Sequence, residues 1–581
     1  MLTIDYQSEP YAPRGEGCGL PSRDLVFPQV LLDRYGAKVL DPATVELDAG
    51  ESRPDSTVYR SDVLLIPVQV LDSDAGLAWI TDTLATIQLT IEVSGLRDRY
   101  RSGSGSRGGD GDGAPSWHPV VLKVAPGATD VVVDAWRALR TLRRALRDFP
   151  DTPQQPGPTG QPKQTEPTGQ IEPTGQTEQV GQAEQVDVKE LLSGIALDHL
   201  LAGSAFVGVG AALDIGGEPA TSGHGMPGGA YATPTAGYAR TPVNVVGGPP
   251  SRRPAANIGG RRPVMVIPDT GLPKQRHAWF RPVTDPDAFL SVSDAAQQRV
   301  QDAVEASQPN PGTELIGYEE DADPPNPLLG TLNTHTGHGL MEAGLVCQVA
   351  PDSRVLMIRI MQADGVVPEE ALHAALDHLL DEIAGGAFYD VVSLSLGYTH
   401  ETADDALHTP PLLAKLTQLR RRGVIIVASA GNYASSRAFW PAAGALDGEN
   451  DPDLAPMLGV GAQNPDGTIA IFSNEHEAIR WHVSGAVLVS TFPPGVKGAR
   501  TASLELTGRA SFDGDNHQSQ FATWSGSSFA APVLGATIMQ MMIQDYEDVD
   551  LANSDQQVAL KRAHAVVARL RNGDAPTITP V

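Results

Sequence analysis

From Pro263 to about Arg571 the chain keeps switching between two hydrophobic periods. The runs Val264–Ile267 (VMVI), Arg354–Ile360 (RVLMIRI), Val391–Leu396 (VVSLSL) and Val424–Ala430 (VIIVASA) are short and β-branched, and each lies close to a stretch with helical apolar spacing. A strand that is apolar at every position is one covered on both faces, and helices between such strands supply the crossovers that parallel pairing needs. The pattern predicts an α/β fold, a mostly parallel sheet with helices on both faces, over residues 263–581.

The rest of the chain reads differently. It has 581 residues, 41% of them hydrophobic and only 5% aromatic, and its 60 glycines and 47 prolines cluster. That supports one large domain plus additional material. Residues 1–150 read as a smaller N-terminal α+β unit of unknown role. Val58–Leu71 and Ile87–Val93 are strand-like, a Gly/Ser/Asp-rich loop covers 102–114, and Val120–Val124 is a further strand. Val132, Trp136, Leu139, Leu142 and Leu146 then share one face at helical spacing, which predicts an amphipathic helix packed on those strands. Residues 151–186 contain the sequence PTGQ three times amid Gln, Glu and Pro, and predict a disordered linker. In 187–262 we expect a short helix (187–201) and a flexible Gly/Pro-rich region, with 216–262 a flexible stretch or long surface loop.

The formal net charge of −28 opposes binding to phosphate backbones and anionic membranes, so nucleic acid and membrane are not expected partners. Two cysteines, Cys18 and Cys347, cannot make a disulfide framework. The opening MLTIDYQSEPYAPRGEG lacks a basic start followed by an apolar stretch, and no apolar run is long enough to span a bilayer. Together these predict a cytoplasmic protein.

Chemistry concentrates in the α/β region. The first apolar run leads into Ile267-Pro268-Asp269-Thr270-Gly271, an acid at the carboxyl end of a strand, where open α/β sheets place their sites. Taken alone it is an ordinary turn. Gly337-His338-Gly339 opens a helix-compatible run, with His335 a rival that spacing does not eliminate. Val424–Ala430 delivers Gly431-Asn432, where Asn432 could be a turn residue or a donor to an oxyanion. Gly526-Ser527-Ser528 precedes a helix, where backbone N–H groups and the positive helix end favour a hydroxyl that develops negative charge; as an isolated triplet it would be read as an N-cap.

These segments, in this order, resemble the subtilisin-like serine proteases. Asp269-Thr270-Gly271 matches the family's Asp-Thr-Gly. His338 to Gly344 matches its His-Gly-Thr-His-Val-Ala-Gly, with Gly339, Ala343 and Gly344 in place, and that register selects His338 over His335. Ser395-Leu396-Gly397 matches its substrate strand, Ala430-Gly431-Asn432 its oxyanion segment, and Gly526 to Pro532 its Gly-Thr-Ser-Met-Ala-x-Pro. Leu340, Met341 and Glu342 depart from the family pattern, as do Ser527, Phe529 and Pro268.

The resemblance implies a serine endopeptidase with a triad of Asp269, His338 and Ser528, Asn432 in the oxyanion hole, and an extended substrate pairing with Ser395, Leu396, Gly397 and with Ala428, Ser429, Ala430. It implies a protein or peptide substrate and no cofactor for catalysis. Structural calcium, common among relatives, is not established by any local carboxylate spacing here. A regulated intracellular protease follows, with residues 1–150 either a pro-region or a unit that recognises a dedicated partner, the second being preferred because a long tether suits an independent unit. The competing reading is a catalytically silent binding module on the same fold. A Ser-Glu-Asp carboxyl peptidase is disfavoured by His338 and Asn432.

Overall fold

The computed structural model describes residues 3–7, 25, 27–45, 47, 52–91, 117–147, 188–204, 240–321, 330, 332–402, 411–499, 501–502, 504–544, 550–553 and 555–574. The expected loop 102–114, the PTGQ linker, Cys18 and residues 216–239 lie outside them.

An eight-stranded sheet organises residues 263–574. Its strand order is Ile4–Tyr6, Ile479–Ser484, Met457–Gln463, Ile425–Ser429, Val391–Leu394, Val264–Asp269, Arg354–Arg359 and Leu290–Val292. All neighbours are parallel except Ile4–Tyr6, which adds to the edge antiparallel to Ile479–Ser484.

Successive side chains of a strand face opposite ways. Met265 and Ile267, Val355 and Met357, Ile425 and Val427 therefore enter one core, with the helices His338–Val349, Ser527–Gln544 and Gln556–Arg571. Val266, Leu356, Ile358, Ile426 and Ala428 enter the other, with Asp294–Ala306, Glu369–Ala384 and Pro411–Arg421. The architecture is α/β, as the alternating runs predict. Among the described residues no helix is long and apolar enough to cross a membrane. Cys347 is buried and free.

The N-terminal residues form a second sheet with its own core. Thr57–Pro67 pairs antiparallel with Ala37–Leu40, Trp117–Val124 and Ala196–Gly203, and Leu89–Ile91 flanks Trp117–Val124. The helices Asp74–Ala85 and Ala135–Arg147 cover it, burying Ile80, Leu84, Leu139, Leu142 and Leu146 against Leu64, Ile66, Val120 and Leu197.

Several boundaries differ from the sequence reading. The first strand ends at Pro67, and Val68–Asp72 turns into a helical segment. The second begins at Leu89 rather than Ile87, and its described part is Leu89–Ile91, residues 92 and 93 lying outside the described residues. The helix starts at Ala135, so Val132 lies ahead of it and is exposed rather than on the apolar face.

The largest departure concerns 187–262. The helix covers only Val188–Ser193, and Ala196–Gly203 is a fully buried strand. Residues 240–262 carry the short strand Thr241–Pro242 and buried Arg240 and Arg262, each held by bonds to distant segments. Arg262 reaches Asp352 O and Asp287, and Arg240 reaches Thr336 O, so this stretch is anchored by cations and not left as a loose loop.

The strand Ala196–Gly203 joins the two parts of the molecule. One edge pairs with Thr57–Pro67 of the N-terminal sheet; further along, its edges take Val366–Pro368 and Leu396–Gly397 of the α/β part. All its residues are buried.

Candidate active site

Asp269 ends the central strand Val264–Asp269, and its Oδ1 accepts the Thr270 N–H at 2.7 Å. His338 begins the helix His338–Val349. Gly337 ahead of it sits at φ 81°, a region that favours glycine, and its N–H donates to Glu320 Oε1 at 2.6 Å. This turn aims the imidazole at Asp269: Nδ1 lies 3.0 Å from both carboxylate oxygens. Gly339 is needed for the approach, since a Cβ there would stand 3.0 Å from Asp269 Oδ1. Trp524 and Phe529 flank the ring at 5.6 and 5.1 Å between centroids.

Ser528 is the second residue of the helix Ser527–Gln544 and is buried. Its neighbour Ser527 is structural: Ser527 N–H donates to Asn432 Oδ1 at 2.9 Å, and Ser527 Oγ accepts the Gly431 N–H at 3.1 Å. These two bonds fix Asn432 with its Oδ1 occupied. Its Nδ2 then lies on the side of Gly526, where a Cβ would meet Asn432 Nδ2 at 3.3 Å and Ser528 Oγ at 2.8 Å. Ser395 Oγ donates to Ser528 O at 2.8 Å. His338 Nε2 and Ser528 Oγ are both buried, and neither makes a hydrogen bond among the described residues.

Two buried carboxyl groups stand near Asp269. Glu342, one turn beyond His338, approaches its Nδ1 to 3.6 Å. Burial, reinforced by Asp269, pushes the Glu342 carboxyl well above its usual range. Burial likewise raises Glu320 to about 8, against the opposing Gly337 N–H. Both shifts favour the neutral carboxyl.

The strand Ala196–Gly203 fills the groove beside this cluster. Gly203 pairs with Leu396 and Ala202 with Gly397 on one side; Ala202, Leu201 and Leu200 pair with Val366, Val367 and Pro368 on the other. Beyond the strand, Ser204 N–H donates to Ser395 O at 2.9 Å and Gly203 N–H to Gly365 O at 2.9 Å. Ser204 Oγ is hydrogen-bonded to Ser429 Oγ.

Ser395, Leu396 and Gly397 thus line an extended chain. Of the other expected substrate-binding residues, Ala428 and Ser429 pair with Gly459 and Val460 of the central sheet, and the Ala430 N–H donates to Val460 O. The Ser429 side chain reaches the extended chain at Ser204. The second backbone rail is Val366–Pro368, three residues too short to announce themselves by periodicity.

His335 turns away from Asp269. Its Nδ1 bonds Thr334 Oγ1 at 3.0 Å, and its ring stands over Gly203, 5.2 Å from the His338 ring. Among the described residues, two clusters bring three ligating side chains together: Asp269, His338, Glu342 and His199, His400, Glu401. Each includes imidazole, and neither donor set suits calcium, which takes six to eight oxygens.

Comparison with known proteins adds to this geometry. The sequence model of the subtilase family matches residues 263–568. A "Thermophilic serine proteinase" of Bacillus sp. (strain AK1) is 25% identical over 260 residues, which cover 43% of this chain and 52% of that protein. The chain thus spans about half the length of the curated relative it matches. A solved structure described as "Crystal Structure of a Lanthipeptide Protease" aligns with a TM-score of 0.32 and 17% identity over 51% of this chain and 78% of that one. Another, "Structure of Prenylagaramide maturation protease PagA", aligns with a TM-score of 0.31 and 15% identity over 52% and 82%.

Proposed function

This chain belongs to the subtilase family, whose sequence model spans more than half of it, and on that premise we propose that it is a serine endopeptidase held in check by its own residues 196–204. The observation that carries the chemistry is the buried pairing of His338 Nδ1 with both oxygens of Asp269, beside a serine at a helix start.

Ser528 Oγ attacks the carbonyl carbon of the scissile bond while His338 Nε2 takes its proton. Asp269 holds the Nδ1–H and stabilises the imidazolium. Negative charge moves to the carbonyl oxygen, where Asn432 Nδ2–H and the Ser528 N–H donate to it. His338 returns the proton to the leaving amine, and water then hydrolyses the acyl-enzyme. In the described structure Ser528 and His338 are not hydrogen-bonded to each other. Such bonds often tighten only when substrate is seated.

Regulation follows from the occupied groove. A peptide substrate would add as a strand between Leu396–Gly397 and Val366–Pro368, and Ala196–Gly203 already holds that place. In this register Ser204, whose N–H donates to Ser395 O, is the residue whose carbonyl Ser528 would attack. We read residues 1–204 as a pro-region rather than a free recognition unit, since the N-terminal sheet runs without a break into the groove. The substrate in trans is a protein or peptide segment that can lie extended.

The test is Ser528→Ala in the full chain. Peptide hydrolysis and cleavage after Ser204 should both fall by about 10⁴-fold or more with the fold retained. Retained hydrolysis would remove Ser528 from the chemistry. A wild-type chain that cuts nothing, itself included, would make this a silent binding module.

A further inference from the structure

The groove strand carries a histidine whose surroundings are more elaborate than pairing requires. His199 lies five residues before Ser204 and is buried. Its Nδ1 is 2.9 Å from Glu369 Oε2, which also accepts the His199 backbone N–H at 3.0 Å. Its Nε2 is 2.9 Å from Glu401 Oε2. A neutral imidazole has one N–H, so bonds from both ring nitrogens to carboxylates require the imidazolium. Burial opposes that charge, but Glu369 and Glu401 outweigh it and raise the ring to about 9. The Tyr398 ring lies 4.6 Å away, centroid to centroid.

The two carboxylates belong to the α/β part, and both sit next to the backbone rails. Glu369 directly follows Val366–Pro368, and Glu401 lies shortly beyond Leu396–Gly397. Each is supported from behind: Glu369 by His373 at 3.4 Å, Glu401 by His400 at 3.5 Å and Arg143 at 3.2 Å. Anything that adds a strand in this register must carry a side chain between them.

We propose that Glu369, Glu401 and Tyr398 form a subsite for an imidazolium side chain on the peptide substrate, five residues ahead of the residue whose carbonyl is attacked. The proposal rests on the protease reading and deepens it. His199 is the resident occupant in cis, and a histidine at the same place in a separate peptide is the occupant in trans. A neutral side chain there would leave two buried carboxylates without their shared donor, which is costlier than the bonds themselves. The site therefore rejects as well as attracts, and it lies far enough along the groove that short peptides never reach it.

The test uses the full wild-type chain and two ten-residue peptides, Asp-His-Leu-Leu-Ala-Gly-Ser-Ala-Phe-Val and the same peptide with Gln for His. Competition from residues 196–204 lowers both rates alike, so the ratio of kcat/KM is the readout. The histidine peptide should be cut about 10–100-fold more efficiently. In Glu369→Gln that ratio should fall close to one, while hydrolysis of the tetrapeptide amide Leu-Ala-Gly-Ser, which does not reach the subsite, should rise because the resident strand is held less firmly. Equal rates on the two long peptides in the wild-type chain overturn the subsite and leave the protease standing. No cleavage of any peptide overturns the protease reading itself.

Discussion

A methyl group added to Gly203 would lie 2.7 Å from Nε2 of His335. Gly365 is under the same constraint, since a Cβ there would collide with His335 Nδ1, and at φ 86° it is glycine's conformation as well. The imidazole is wedged between the groove strand and the loop before Val366. Burial, with the neighbouring His338 and Arg240, depresses it well below its ordinary value, so it is a neutral wall and not a base. This wall restricts the residue before Ser204 to glycine.

Gly203→Ala should accordingly slow cleavage after Ser204 by about 10–100-fold, the cost of forcing one methyl into a full site. His335→Ala opens the wall, and the double variant should recover most of the loss. Mass spectrometry of the purified chains over time reads all three. Equal cleavage of the Gly203→Ala and wild-type chains would show that the ring yields.

Asn432→Ala should lower turnover by about 10²–10³-fold with little change in KM, because its free donor acts on charge that appears only in the transition state. Its Oδ1 is also bonded to the Ser527 N–H, so the thermal midpoint should be compared alongside. Loss of KM alone would assign Asn432 to substrate binding.

Glu342 gives a stability prediction with a definite sign. Its carboxyl is raised in the folded chain by burial and by Asp269, so the folded state holds a proton that the unfolded state releases above the usual carboxylate range. Stability falls as pH rises beyond that range. Glu342→Gln keeps the shape and removes the proton, so it should raise the thermal midpoint more at pH 8 than at pH 4. A variant with the wild type's pH dependence would show that Glu342 is solvated.

The hold on the groove strand should likewise depend on pH. His199 is raised, so its contribution is complete below about 6.5, its value in an unfolded chain, and is lost as pH rises through about 9. Glu369, lowered to about 2 against its own burial chiefly by His199, keeps its contribution above its ordinary range and loses it as pH falls toward 2. The facing groups His373, His400, Arg143 and Tyr398 surround the same pair. Activity of the full chain on Leu-Ala-Gly-Ser amide should rise, relative to a His199→Gln chain, between pH 8 and 10. A constant ratio over that interval would detach the hold from His199.

The parts of the site legible in the sequence are those where geometry demands glycine or a strand end. Gly337, Gly339 and Gly344 flank or follow His338 because side chains there would strike Phe492, Asp269 or Ser490. Asp269 and Asn432 close apolar strands whose β-branched content leaves little choice of structure. The groove strand was not legible in the same way. Leu197, Leu200 and Leu201 fit helical spacing, and what makes them extended is a set of hydrogen bonds to edges far away in sequence. Val366–Pro368 has no periodicity to show. Glu369 and Glu401 read as ordinary acids on a chain with many, and only the fold sets an imidazole between them. Val132 failed for the opposite reason: it matched the helical period but fell outside the helix.

The strand Ile4–Tyr6, paired antiparallel with the edge strand Ile479–Ser484, bears on what happens after a cut. Thr3 adds further bonds to Ser484 and Gln463. The N-terminal piece therefore grips the α/β part at the groove, at the sheet edge and, between the two, through Arg34, Arg60 and Arg143 on Asp364, Glu370 and Glu401. Severing the chain after Ser204 would free none of these grips. When the groove strand lets go, the edge keeps it at high effective concentration, and rebinding is an intramolecular event. Lasting escape would need the intermediate ion pairs to open as well, so a cut after Ser204 would arm the enzyme without releasing it.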